Sequence, residues 1–351
     1  MRVALEATSL TLTSGGLARY TRELSLALAA GYPDDAFVLL SDQPFRMPAA
    51  APPNLTRGGG PRNRAERRWW LWGLEREMAR QHVDLFHGPD FAVPYIPRRP
   101  SVMTLHDLSP WMKPEWRHGA SRVRRRTPVL LRLGIATMVV TPSEAVRRQA
   151  IERFSLHPDR VVVTPEAAPA WLRPIEAPPA DPPYFLFVGT LEPRKNLGVL
   201  VEAWREARRT VRVDLVLAGA RRADGPVFAP EPGLHVLGEV PEETLPALYS
   251  GALALVYPSL YEGFGLPVIE AMQCGTCVIA SRAVAEAAGE AAIFADTPAA
   301  LVTAMRAVVT RPDFRSHHQE LGLRRAAEFS WRRTARLTRE VYDEARRRFG
   351  D

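Results

Sequence analysis

Within YEGFGLPVIEA, residues 261–271, two carboxylates, Glu262 and Glu270, stand on either side of a Gly-Phe-Gly-Leu-Pro core. Such a pair can act as acid and base on a glycosidic bond, or as two acceptors gripping one hydroxylated ligand. The residues between them favour the second use. Gly263 and Gly265 keep a helix from starting, and Pro267 suits the first turn of one. Glu262 is therefore expected on a loop and Glu270 in the first helical turn. The N–H groups of Phe264, Gly265 and Leu266 would approach a helix N-terminus, which favours an anion. A diphosphate on the amides, with a hydroxylated ring on each acid, fits this pattern.

A second segment, FVGTLEPRKNLGVLVEAW (187–204), runs from a buried strand through Gly189 to Arg194 and Lys195, with Asn196 as the expected N-cap. Two cations at a helix start suit phosphate: lysine as a point charge, arginine as a fork onto two oxygens. In TLTSGGLARYTREL (11–24), Gly15 and Gly16 open a helix and permit close approach to the backbone. Neither a dinucleotide fingerprint nor a Walker-type phosphate loop occurs in the chain. VMTLHDLSPW (102–111) ends a strand at His106-Asp107, where a histidine serves either structure or chemistry. CGTC (274–277) lacks a second ligand pair for a tetrahedral metal site. Cys274, Gly275 and Cys277 read instead as a helix end, its left-handed cap and a strand start, with both thiols as buried filler.

These residues follow strands. Short apolar runs alternate with helical patterns: RVALEAT, FVLLSD, DLFHGPD, SVMTLHD, MVVTPS and RVVVTPE, then YFLFVGT, VDLVLAG, LHVLGEV, ALALVYPS, CVIAS and AIFAD. Continuous Val, Ile and Leu between helices predict parallel strands buried on both faces, hence two α/β, doubly wound, Rossmann-like domains. Such sheets bind ligands outside the carboxyl ends of their strands, so two facing domains would enclose a cleft. The proline-rich stretch EAPPADPPY places a linker at 176–183, between domains at 1–175 and 184–328. Residues 329–351 read as a terminal helix, expected to pack back on the N-terminal domain.

At 351 residues with two cysteines, the chain is long enough for two cores and too cysteine-poor for a disulfide framework, so a cytoplasmic setting is expected. MRVALEAT carries Glu6 in its apolar run and reads as a first strand. PVLLRLGIATMVV, interrupted by Arg132, is too short to span a bilayer. The formal charge of +7 comes almost entirely from arginine. It is weak evidence for nucleic acid, which is not an expected partner. Two segments, 62–77 and 113–133, mix arginine with tryptophan or aliphatic residues. Each suits either an anionic membrane surface, at the inner face of the plasma membrane, or an ordinary amphipathic helix.

Together EGFGLPVIE, VGTLEPRKN, SGGLARYTREL and TLHDLS resemble the retaining glycosyltransferases of family 4, which have the GT-B fold. VVTPSEAVRRQAIERF and the closing FSWRRTA extend the likeness over nearly the whole chain. The resemblance implies that Glu270 holds the ribose of a nucleotide sugar and Glu262 the hydroxyls of the sugar itself. Lys195 and Arg194 would neutralise the leaving diphosphate. Amides of Gly263, Phe264, Gly265 and Leu266, with Gly15 and Gly16, would complete the donor site, and His106 would touch the transferred sugar. On this likeness His106, Lys195 and Glu262 are the catalytic candidates, and no metal or other cofactor is expected. The donor domain is the second, the acceptor domain the first. The VGTLEPRKN form resembles bacterial mannosyltransferases of surface-polysaccharide synthesis. That favours GDP-mannose as donor, with UDP sugars as the alternative, and a saccharide or lipid-linked saccharide as acceptor. Base contacts would come largely from backbone near 236–243. In a front-face displacement the departing phosphate oxygen takes the acceptor's proton, so no protein nucleophile is required. Thr190 stands where many relatives carry arginine, which gives Arg194 a larger part, and Cys277 where proline is usual. Other readings are a retaining glycoside hydrolase, a different GT-B enzyme, or a non-enzymatic basic protein on nucleic acid or membrane.

Overall fold

The computed structural model describes residues 1–12, 15–116, 120–176 and 180–350. The chain divides into two units: residues 1–113, 117–166 and 331–351 in the first, and 114–116 with 167–330 in the second. Pro178 and Pro179 of the expected linker lie outside the described residues, as do Thr13 and Ser14 of the glycine segment and Arg117 of the second Arg/Trp segment. The division falls at Glu166–Ala167, ahead of the proline-rich stretch. Residues 167–175 group with the second unit because Ala168 and Leu172 are buried in its core. In addition, the Gln273 amide donates to the carbonyls of Pro169 and Leu172 at 2.7 and 2.5 Å.

The first unit is built on seven parallel strands: β1 (Arg2–Glu6), β2 (Ala36–Leu40), β3 (Leu55–Arg57), β4 (Leu85–Gly88), β5 (Ser101–Thr104), β6 (Met138–Thr141) and β7 (Val161–Val163). They lie in the order β3-β2-β1-β4-β5-β6-β7. The second unit has six: β8 (Tyr184–Val188), β9 (Asp214–Ala218), β10 (Leu234–Gly238), β11 (Ala254–Tyr257), β12 (Cys277–Ala280) and β13 (Ile293–Phe294), in the order β10-β9-β8-β11-β12-β13. Every expected run is a strand. β3 was not foreseen: Thr56 and Arg57 are exposed, so no apolar run marks this edge. Asn54 anchors its start by donating to the carbonyls of Ala29, Tyr32 and Asp35.

Central strands β4, β5, β6, β11 and β12 are buried along their whole length, as covering both faces of a parallel sheet requires. In the first unit the C-terminal helix Trp331–Gly350 packs along the helix Gly16–Gly31. A buried polar chain helps fix it. Tyr342 Oη meets His87 Nδ1 at 2.7 Å, His87 Nε2 meets Thr104 Oγ1 at 2.8 Å, and Thr104 Oγ1 meets Tyr20 Oη at 3.2 Å. Buried polar groups are tolerable only when satisfied in this way.

Burial drives the His87 pKa down to about 3. The folded unit refuses a proton that the unfolded chain takes up below its ordinary value near 6.5. Stability should therefore fall as pH drops from 6.5 towards 3, by about 2 kcal/mol at pH 5 from this residue alone. His87→Asn should be less stable at pH 7 yet show a flatter decline between pH 7 and 5 in thermal melts. Parallel declines would show that His87 does not carry the effect.

Candidate active site

In the second sheet the chain runs outward from β8 to β10 on one side and from β11 to β13 on the other. The switch lies between β8 and β11, where open α/β sheets bind ligands at the strand ends. Both loops singled out from the sequence leave these two strands. The first forms a short 3₁₀ turn, Pro193–Lys195, after Glu192 in extended conformation. Leu260 N–H donates to the Arg194 carbonyl at 2.9 Å, which ties the backbones of the two loops together.

Lys195 is 6% exposed. Its Nζ donates to Glu262 Oε1 at 2.6 Å and to Tyr257 Oη at 2.7 Å. Arg194 Nη1 donates to Glu262 Oε2 at 3.1 Å and to the Tyr261 carbonyl at 2.9 Å. Its Nη2 reaches Glu192 Oε1 at 2.8 Å, and Arg222 Nη1 takes Glu192 Oε2 at 2.6 Å. Glu262 is thus clamped by two cations. Burial pushes its pKa up, but the Lys195 and Arg194 charges prevail and hold it at about 2. Lys195 is the less secure partner. Burial moves its pKa down, and the like charge of Arg194 adds to the fall that Glu262 opposes. The Tyr257 phenol, driven well above its ordinary value by burial, stays protonated. The two cations expected to await an anion are therefore already engaged. Arg194, Lys195 and Arg222 face Glu192, Glu262 and Asp224, which pairs with Arg222 at 2.6 Å, so formal charge cancels across the group.

Glu270 differs from expectation. Gly265, at φ 100°, is left-handed and caps the helix Leu266–Gln273, whose first turn is taken by residues 266–269, so Glu270 lies just beyond it. It is fully buried and accepts from Tyr249 Oη at 2.7 Å. A Cβ on Gly265 would lie 2.6 Å from Val284 Cγ1, so both conformation and space require glycine there. The side chains of Phe264 and Leu266 are buried, Phe264 edge-on to Phe329 at 5.5 Å. Whatever these two residues offer a ligand comes from backbone. Gly263 belongs to the loop that carries Glu262. Asn196 occupies the expected N-cap position without capping. It is left-handed, and its side-chain amide reaches the Pro258 carbonyl at 3.4 Å. Both cysteines are buried free thiols, with Gly275 left-handed after the helix.

In the first unit Gly15 caps the helix Gly16–Gly31 with φ 107°, and among the described residues a Cβ at either glycine would meet nothing within 4 Å. The glycine pair leaves open space over the backbone. His106 follows β5 and is held at both ring nitrogens, by Glu166 Oε1 at 3.0 Å and the Pro89 carbonyl at 2.7 Å. Sequence reasoning missed Glu192, Arg222, Tyr249, Tyr257 and Glu166. Glu192 and Glu166 each follow a strand, the criterion that found the others. Arg222, Tyr249 and Tyr257 become visible only through partners far along the chain.

Residues 14–170 match the description Glycosyltransferase Family 4, and residues 182–311 match Glycosyl transferases group 1. The O-antigen chain mannosyltransferase B of Escherichia coli is 34% identical over 282 residues, covering 74% of this chain and 74% of that protein. The chain therefore belongs to glycosyltransferase family 4 and is a glycosyltransferase of the GT-B type. Among solved structures, sucrose-phosphate synthase from Thermosynechococcus elongatus aligns with a TM-score of 0.72 at 20% identity, covering 98% of both chains. The Anabaena protein HepE, solved with UDP and glucose, aligns at 0.70 and 17% identity, covering 97% of this chain and 99% of its own. These likenesses show the shared fold.

Breaking a buried ion pair from one side costs about 3–5 kcal/mol, whereas removing both partners is often nearly neutral. Lys195→Met should accordingly lower the unfolding free energy by about 3 kcal/mol in urea. The double variant Lys195→Met/Glu262→Gln should lose clearly less than the two single losses added together. Simple additivity would show that the two charges do not depend on each other.

Proposed function

We propose that the protein transfers mannose, with retention at the anomeric carbon, from a nucleoside diphosphate, GDP-mannose in preference to a UDP sugar, to a saccharide or lipid-linked saccharide acceptor. The observation that carries this reading is the Arg194–Lys195 pair closed on Glu262 at the switch point of the second sheet, with buried Glu270 on the helix that follows. The E. coli relative's name supports mannose, and the HepE complex supports a nucleotide donor.

Breaking the anomeric bond leaves a nucleoside diphosphate with added negative charge and an oxocarbenium-like sugar. Lys195 and Arg194 meet that charge in a site from which water is largely excluded, where fixed charges act most strongly. They supply the neutralisation that a metal ion would otherwise give, so none is required. Glu262 takes sugar hydroxyls as the cations turn to phosphate, and Glu270 takes the ribose. Backbone of Gly263, Phe264, Gly265 and Leu266 lines the donor, and the edge strand β10 with residues 236–243 borders the base. The first unit receives the acceptor, with Gly15, Gly16 and His106 at its ligand-binding edge.

A glycoside hydrolase fits less well. Its general acid needs a raised pKa, and Glu262 is held at about 2. Lys195→Ala should reduce turnover by roughly a hundredfold or more, the scale of a lost oxyanion donor. The assay is transfer of radiolabelled mannose from GDP-mannose, after a panel of sugar nucleotides has been ranked by thermal shift. A near-wild-type rate would remove Lys195 from the mechanism.

The enzyme works at the cytoplasmic face of the membrane, held there by charge. Among the described residues no helix is long and apolar enough to cross a bilayer. The two Arg/Trp segments differ. Trp69 is buried in the first unit and Trp116 is stacked on Tyr261 in the second, which leaves Trp72 as the exposed tryptophan of the first segment, close in sequence to exposed Arg67 and Arg68. Glu66 and Glu77 take up Arg76 and Arg80. On the helix Ser121–Arg132, by contrast, Arg122, Arg124, Arg125 and Arg132 are exposed, with no carboxylate partner among the described residues, beside exposed Val129 and Leu133. Each arginine near an anionic bilayer is worth about 1 kcal/mol. The protein should pellet with anionic vesicles at low salt, and Arg122→Glu/Arg125→Glu should weaken that binding at least tenfold. Wild-type protein left in the supernatant would end the membrane assignment.

A further inference from the structure

The first unit carries a second buried polar assembly at the carboxyl edge of its sheet, of which only His106 has been given work so far. His106 Nε2 lies 2.7 Å from the Pro89 carbonyl, which can only accept, so this nitrogen carries a proton. Nδ1 lies 3.0 Å from Glu166 Oε1. A carboxylate oxygen accepts, so this ring nitrogen donates as well. The two contacts together describe an imidazolium.

Its surroundings support the charge. Glu166 comes from the segment after β7, and its neighbour Pro165 accepts from Thr334 Oγ1, on the C-terminal helix, at 2.5 Å. Asp90, on the loop after β4, adds a second acid, although burial raises its own pKa against the opposing pull of His106. Asp107 lies next in sequence, with Oδ1 taken by Ser109. The remaining titratable groups around the ring are Tyr20, edge-on at 4.5 Å with its hydroxyl on Thr104, and His87, which burial keeps neutral. Burial lowers the His106 pKa, yet the Glu166 contact reverses this and the net direction is upward.

We propose that Glu166 is a positioning residue that keeps His106 an imidazolium clamped to the β4 loop, so that His106 serves the reaction as a fixed cation and not as a base. The second half of this statement rests on the transferase reading above. The first half does not. With both nitrogens donating, His106 has no lone pair to accept a proton.

Two readouts test it on the full chain. In NMR titrations of protein with isotopically labelled histidine, His106 of the wild type should titrate above the ordinary histidine value of about 6.5, and Glu166→Gln should bring its titration below 6.5. In the transfer assay, the wild-type rate should hold to a higher pH than the Glu166→Gln rate. The Glu166→Gln rate should fall by about tenfold per unit above the lowered pKa and recover at pH 5.5, and Glu166→Asp should restore part of the loss. A wild-type His106 that titrates at or below 6.5 would overturn the proposal. So would an unmoved titration in Glu166→Gln, or a rate loss equal at every pH, which is the mark of a purely structural role. If no sugar nucleotide supports transfer, the transferase reading fails, and the wild-type titration still decides the charge of His106.

Discussion

Two hydrogen bonds onto one carboxylate, from Lys195 and from Arg194 to Glu262, decide how the second unit can work. They join the loop after β8 to the loop after β11 across the point where the sheet reverses its winding. Without them, the Glu262 carboxylate would be buried away from both of these cations, and among the described residues Lys195 Nζ would keep only the Tyr257 hydroxyl as a hydrogen-bond partner, a cost of several kcal/mol for an ion left uncompensated. The cluster is thus a folding element, whatever it does for a ligand.

That structural duty shapes the chemistry. Because the cations are matched by Glu262 and Glu192, a diphosphate gains no excess of positive charge merely by arriving. Under the proposed function a diphosphate would have to draw Lys195 and Arg194 away from their carboxylates. Glu262, released, would be an acceptor beside the group just bound, suited to sugar hydroxyls. Such an exchange would favour a ligand that brings both an anion and hydroxyls, since either alone would leave one partner of the buried pair unsatisfied. The first unit handles charge differently: His106 has no mobile partner and is held between a carboxylate and a carbonyl.

Much of this was legible in the chain. Continuous apolar runs revealed twelve of the strands, because parallel strands covered on both faces leave no room for polar alternation. β3 escaped because an edge strand of three residues needs only Leu55 to be apolar. The two loops that meet after β8 and β11 were picked out because glycine, proline and charge follow these strands. The start of the helix after β11 was misjudged by about a residue, since nothing local shows that Gly265 is left-handed and that the helix already begins at Leu266. Glu270 therefore falls just past the first turn, and its burial against Tyr249 could not be read from spacing. Pairings such as Glu192 with Arg222 join residues on different strands' loops, and spacing carries no trace of them. The break between units at Glu166 was likewise hidden: prolines mark where regular structure stops, whereas Leu172 shows which core claims the chain.

A crystal structure of the protein with a bound nucleoside diphosphate tests this account most directly. The account predicts phosphate oxygens within about 3 Å of Lys195 Nζ and the Arg194 guanidinium, the Lys195–Glu262 contact opened, and the ribose on Glu270. A diphosphate bound elsewhere, with Lys195 still closed on Glu262, would contradict it.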